Sequence, residues 1–299
     1  FNNLDNIIRT SRKKSCNIII SKSGNTLEVV TNINLIVKKN DKNLIITENK
    51  KNYLNSIASD LNSEIIEHKN FIGGRYSVLS EVGMIPSELM GLNIQKFKNI
   101  NKLIKSKSFN KSLIDSVERT LRLIKNKKLN SIILNYDVKS LKLFEWYQQL
   151  ISESLGKKSK GILPLVSSMP KDNHSLMQYY LDGPKINFFT FFFVHDKLSK
   201  TLPNTNLLNN YSFLKNKKIN EVIYTQKKAT ENVFNLKKIP FRSFEIKNRN
   251  EESLGELFSF FILETILLGR VLNVNPFDQP SVELIKKETK KIFSTYKRK

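Results

Sequence analysis

Short, nearly unbroken apolar runs alternate along this chain with stretches whose apolar residues recur every three or four positions. The first run, CNIIIS at residues 16–21, leads into SKSGNT. A β-branched run bounded by Gly, Ser and Asn reads as a strand entering a loop. TLEVVTNINLIVKKN (26–40) has helical spacing, and KNLIITEN (43–50) and SEIIEHKN (63–70) read as two further strands. The pattern then restarts. PSELMGLNIQKFKNINKLIKS (86–106) reads as a helix able to bridge two domains, SIILNYDV (131–138) as a strand, and KSLKLFEWYQQLISESLG (139–156) as a helix closed by Gly156. GILPLV, KINFFTFFFV and KINEVIYT supply more strand candidates, and helices near 251–270 and 280–295 end the series. Strands separated by helices predict βαβ units and parallel pairing. The expected fold class is α/β with two such units, residues 1–105 and 106–299.

Composition narrows the function classes. With 299 residues, 39% hydrophobic and 10% aromatic, the chain has enough apolar material for two cores. INFFTFFFV (186–194) is too short to span a bilayer, and LFSFFILETILLG (257–269) carries Glu264 in its middle. A buried strand and a buried helix are expected there instead, with no membrane partner. The chain opens on Phe1, and FNNLDNIIRTSRKK lacks the apolar core of a signal peptide, so a start inside a longer protein is expected. The single Cys16 excludes an intrachain disulfide, fits a reducing, cytoplasmic setting, and is expected as a small buried residue beside its strand. The net charge of +23 raises nucleic acid as a partner, but only nine of the 50 basic residues are Arg and the lysines are scattered among Asn and Ile. Base-edge and phosphate recognition favours the Arg fork, so nucleic acid is not the expected partner.

Five segments carry candidate chemistry. In IIISKSGNTLE a strand runs through Ser21, Lys22, Ser23, Gly24, Asn25 and Thr26 into a helix, whose unpaired first N–H groups and dipole favour an anion. The alternative is ordinary helix capping by a hydroxyl. FIGGRYSVLSEVG (71–83) puts Arg75 after two glycines, where a sharp turn could project a permanent cation, or merely leave a surface Arg. On the helix 139–156, Gln149 and Glu153 share a face with Trp146 upstream, so Glu153 is a candidate base set against a solvated acid near a helix end. His174 begins an amphipathic stretch with Asp172 and Asn173 as caps, a proton donor or a plain capping-region residue. Gln279 and Lys286 fall on nearly one face of the last helix, where Lys286 could reach inward or lie in solvent. His68 and His195 sit near strand ends with no partners that would make them functional, and no Cys/His or Asp/His spacing suggests a metal.

SKSGNTLE, GGRYS, ESLGK, DNHSLMQ with YLDGP, and PFDQPSVELIK, in this order over about residues 17–292, resemble the signatures of the glucose-6-phosphate isomerase family. The resemblance implies two sugar-isomerase domains with the active site between them, and a homodimer in which the neighbouring subunit contributes His174. It implies that Ser21, Lys22, Ser23 and Thr26 bind a sugar phosphate and that Gln149 and Gln279 contact the substrate. Arg75 would then stabilise an enediolate, Glu153 act as base, and His174 with Lys286 open the sugar ring, without metal or other cofactor. The family's upstream Gly-Gly-Ser loop does not occur here, which fits a first domain lacking its beginning, and Ser23 stands where the family often has Thr. Mannose 6-phosphate as a second substrate stays open. A binding protein without catalysis, or an inactive fragment, is the competing expectation. Keeping Arg75, Glu153, His174 and Lys286 together argues for the enzyme.

Overall fold

A computed structural model describes residues 16–296; the N-terminal stretch read above for a signal peptide lies outside them. The chain forms two compact units, residues 1–98 and 99–299.

The first unit is a three-stranded parallel sheet, β1 (Cys16–Ile20), β2 (Lys42–Glu48) and β3 (Glu64–His68), in that order. Ile19 pairs with Ile45 and Ile45 with Ile65 across the ladder. Helix α1 (Leu27–Ile36) and the short α2 (Tyr53–Ile57) complete a core of Ile19, Ile33, Ile45, Leu54 and Ala58. After β3 come a 3-10 turn at Gly74–Leu79, α3 (Glu81–Leu89) and a single helical turn, α4 (Ile94–Phe97). Cys16 is exposed rather than buried, because the strand's first position lies outside the packed part of the sheet.

The continuous helix expected over 86–106 is broken instead. Gly91 takes a left-handed φ of +80°, which ends α3, and Asn93 caps the following turn by accepting from the N–H groups of Gln95 and Lys96.

The second unit opens with a turn, α5 (Ile100–Leu103), and the amphipathic α6 (Lys107–Lys125), which buries Phe109, Leu113, Val117 and Thr120. Its sheet comprises β4 (Asn130–Asn135), β5 (Leu163–Ser168), β6 (Asn187–Val194) and β7 (Phe241–Ile246), all parallel, in the order β5-β4-β6-β7. Helices α7 (Leu141–Leu155), α8 (Met177–Asp182), α9 (Ile219–Leu236), α10 (Glu251–Val271) and α11 (Pro280–Thr295) complete the unit. Every residue of β6 is buried. Its Phe189, Phe191 and Phe193 pack with Phe234 of α9, while Phe192 meets Phe144 of α7 edge-on.

KINEVIYT belongs to the start of α9, not to a strand. Its β-branched residues favour a sheet locally, but Ile223 and Phe234 fall on one helical face turned to the β6 phenylalanines. The Glu221 side chain also accepts from the Lys218 N–H, closing the first turn. Spacing over five turns outweighs the propensity of single residues.

Glu264, the one charge in the apolar stretch 257–269 of α10, is 1% exposed and faces Arg242 of β7. Arg242 donates to both Glu264 oxygens, to Ser116 Oγ at 2.6 Å, to Thr190 Oγ1 at 3.0 Å and to Tyr147 OH at 3.3 Å. Those contacts occupy all five donors of a guanidinium. Burial pushes the Tyr147 hydroxyl up to about 12. No helix among the described residues is long and apolar enough to cross a membrane.

Candidate active site

The loop from β1 to α1 is folded around its own polar groups. Ser21 is buried, and its Oγ lies 2.8 Å from Thr26 Oγ1. Thr26 is the residue before α1, yet its side chain makes no capping bond to the helix. Ordinary capping therefore does not account for the two hydroxyls, and the first N–H groups of the helix keep their need for an acceptor. Ser23 is exposed, with its Oγ accepting from the Asn25 N–H at 3.3 Å.

Lys22 is committed sideways. Its ammonium donates to Asn70 O at 2.8 Å and lies 3.4 Å from Glu48. Burial alone would raise the Glu48 carboxyl, but Lys50 and Lys22 together hold it below the usual range.

Gly24 is the position where the backbone dictates the residue. Its φ is +66°, and a Cβ there would sit 2.1 Å from Asn52 Oδ1. Asn52 went unnoticed in the sequence. Its amide donates to Glu48 O and Lys50 O and its Oδ1 accepts from Asn55 N, locking the loop that faces SKSGNT. The available signal was an Asn directly before a helical turn. Gly24→Ala is expected to cost about 1–2 kcal/mol for the left-handed backbone alone and to displace Asn52. Thermal unfolding should show a lower midpoint, and substrate titration a raised KM.

Arg75 is 4% exposed, with its guanidinium 5.3 Å from the Tyr76 ring, so it is not the plain surface Arg of the alternative reading. His68 has structural partners. It is buried at the end of β3, with Nδ1 against Glu81 of α3 and Nε2 3.1 Å from Ile72 O. A carbonyl can only accept, so Nε2 carries the hydrogen. The imidazole thus ties together both ends of the segment that holds Gly73, Gly74 and Arg75. His195 has a neighbour too, Glu245 at 3.6 Å.

In the second unit, Gln149 Nε2 donates to Glu153 Oε1 at 3.0 Å, four residues on along α7. Glu153 is half-buried, and Trp146 on the same helix packs edge-on against Phe258 of α10. Gly156 then ends α7, and Lys157 bridges to the segment before α11, lying 2.7 Å from Asp278. Gln279 is half-buried as the residue preceding α11.

His174 is exposed and lies in a turn three residues before α8, rather than at a capped helix start. Asp172 serves the turn itself. It accepts from the Ser168 N–H at 2.8 Å and from Ser175 Oγ at 3.1 Å. Burial would raise its carboxyl, but Lys171 and these donors hold it below the usual range. Lys286 does not turn inward: it is exposed on α11 and donates to Glu283 at 2.6 Å. Among the described residues no cluster of His, Cys, Asp or Glu could hold a metal ion.

Two groupings therefore exist within the units: the hydroxyl-rich loop of the first, and the Gln149–Glu153 pair of the second, whose helix end is joined through Lys157 to Asn275 and Asp278 ahead of α11.

No protein-family model matches the chain. Among solved structures, a hypothetical protein from Thermus thermophilus superposes with a TM-score of 0.87 at 22% identity, covering 97% of this chain and 74% of that one. A glucose-6-phosphate isomerase from Chlamydia trachomatis superposes with a TM-score of 0.77 at 18% identity, covering 98% of this chain and 62% of that one. A structure described as a phosphosugar isomerase from Bacillus subtilis shares this fold of parallel sheets flanked by helices, with a TM-score of 0.52 at 13% identity, covering 93% of this chain and 79% of that one. In sequence, the chain is 33% identical over 288 residues to a glucose-6-phosphate isomerase of Methanocaldococcus jannaschii, spanning 90% of this chain and 69% of that protein. It is 33% identical over 302 residues to one from Mycoplasmopsis pulmonis, spanning 94% and 70%. The chain belongs to the glucose-6-phosphate isomerase family.

Proposed function

We propose that the chain interconverts glucose 6-phosphate and fructose 6-phosphate, with Glu153 as the group that moves the proton. The observation that carries this reading is the half-buried carboxylate of Glu153, oriented by the 3.0 Å hydrogen bond from Gln149. An aldose–ketose interconversion breaks the C–H bond at carbon 2 and forms one at carbon 1. Glu153 lifts the proton from one face, leaving a cis-enediolate, and delivers a proton, the original one or one exchanged with water, to the neighbouring carbon on that face, while the hydroxyl proton passes from oxygen 2 to oxygen 1. A positioned base supplies roughly 10²–10⁴-fold in rate.

Arg75 stabilises the negative enediolate oxygen, a permanent charge set in place before the reaction. The phosphate is held by Ser21, Ser23 and Thr26 and by the first N–H groups of α1, with Lys22 adding positive charge beside the loop. Gln149 and Gln279 hydrogen-bond the sugar. His174, supplied by the second subunit of a homodimer, and Lys286, exchanging Glu283 for the sugar, open the ring before proton transfer. No metal takes part. The two units, residues 1–98 and 99–299, correspond to two sugar-isomerase domains, and the protein acts in the cytoplasm.

The test is formation of fructose 6-phosphate from glucose 6-phosphate by the purified protein, followed through a coupled assay. Turnover above the enzyme-free rate is expected. Tight sugar-phosphate binding with no turnover would replace the isomerase by a binding protein.

A further inference from the structure

The segment between α10 and α11, residues 272–279, has no regular structure and ends at Gln279. It is held at both ends from one place. Lys160 Nζ donates to Leu272 O at 2.9 Å. Lys157 Nζ donates to Asn275 O in a short hydrogen bond and lies 2.7 Å from Asp278 Oδ1. Both lysines follow the helix that carries Glu153, and Lys157 is four residues beyond Glu153 itself.

The two lysines differ in kind. The Lys157 side chain is only 12% exposed, while Asp278 is 51% exposed. Burying a lysine stem and fixing its head removes rotamer freedom and part of its hydration. A backbone carbonyl and a carboxylate on the same ammonium compensate that cost, and they fix two points of the strap just ahead of Gln279. Val274 and Pro276 of the strap are buried as well. Phe277 N donates to its own neighbour Asn275 Oδ1 at 3.0 Å, and Val274 N to Gly269 O at 2.9 Å.

We propose that Lys157 is a positioning residue for the isomerisation, setting Gln279 and the first turn of α11 against the end of the Glu153 helix. The proposal rests on the reading above in which Gln279 touches the substrate. A displacement of about an ångström in a substrate-positioning group can cost on the order of 10²-fold in rate, so a lysine that holds such a group is visible in turnover without touching the sugar.

The test combines exchange and kinetics on the complete protein. Lys157→Met keeps the apolar stem and removes the charge. Amide hydrogen exchange across 273–278 should then speed up at least about tenfold, with the strands of the sheet unchanged, and kcat/KM should fall by about tenfold or more. Gln279→Ala and the double variant close a cycle: if Lys157 acts through Gln279, Lys157→Met adds almost nothing in the Gln279→Ala background. Losses that simply multiply, or unchanged exchange in the strap, would overturn the proposal. Unchanged turnover in Gln279→Ala alone would sink the substrate contact instead, while exchange still reports whether Lys157 holds the strap. Asp278→Ala, which alters only an exposed side chain, repeats the exchange measurement should Lys157→Met not fold; it should loosen 275–278, and protection equal to wild type would count against Lys157 as the anchor.

Discussion

Glu153→Gln is expected to abolish isomerisation, lowering kcat by roughly 10²–10⁴-fold, while sugar phosphate still binds. Gln is the same size, accepts the same hydrogen bond from Gln149, and cannot take a proton from carbon. The substitution therefore separates chemistry from shape. Binding should stay within a few-fold of wild type, because the phosphate contacts on the β1–α1 loop are untouched. Exchange of the substrate's carbon-bound hydrogen with solvent, followed by NMR, should disappear with turnover, since both pass through the same enediol. Turnover within about tenfold of wild type would remove Glu153 from the role of base.

The second large effect is on stability. Glu264→Ala should destabilise the second unit by about 3–5 kcal/mol, the usual result of stripping one partner from a buried ion pair. Arg242 would keep its bonds to Ser116, Thr190 and Tyr147 but lose the only carboxylate among its partners. For a unit of this size each kcal/mol shifts the midpoint by roughly 2–4 °C, so the fall should be about 6–20 °C. Replacing both residues, as Arg242→Met with Glu264→Leu, should recover most of that loss, because no uncompensated charge is then left inside. Calorimetry on the two variants separates the pair's net contribution from the cost of orphaning one member. A double variant as unstable as the single one would mean that the ion pair itself, rather than relief of a stranded charge, holds α10 to β7.

How far the sequence could be read differs by type of feature. Strands β1 to β6 were legible because each is an apolar run between turn residues. β7 was not: Arg242 and Glu245 interrupt it, and only its polar partners across the unit explain why they are tolerated there. The long α6 went unread, and the helix expected over 86–106 split at Gly91, whose left-handed backbone a local apolar count does not register. At the candidate site the motif residues themselves were legible, since Ser21, Thr26, Arg75, Gln149 and Glu153 keep recognisable company in the chain. Asn52 and Lys157 were not. They work through carbonyl groups, within its own loop for Asn52 and 118 residues away for Lys157, and a carbonyl has no signature in a sequence. The sequence left the direction of Lys286 open, because a helix as basic as α11 offers nothing to distinguish an inward lysine from one that pairs with Glu283.

The eight residues of β6, NFFTFFFV, are all enclosed by neighbouring strands and helices. An uncharged octapeptide with five phenylalanines and no proline is also the kind of segment that zips into stacked intermolecular sheets once released. The charges nearest it, Lys185 on one side and Asp196 with Lys197 on the other, act as gatekeepers only at its margins. The working lifetime of the protein is consequently a matter of kinetics: each full opening of the second unit exposes a sticky ribbon that competes with refolding, so the height of the unfolding barrier matters more than the depth of the native well.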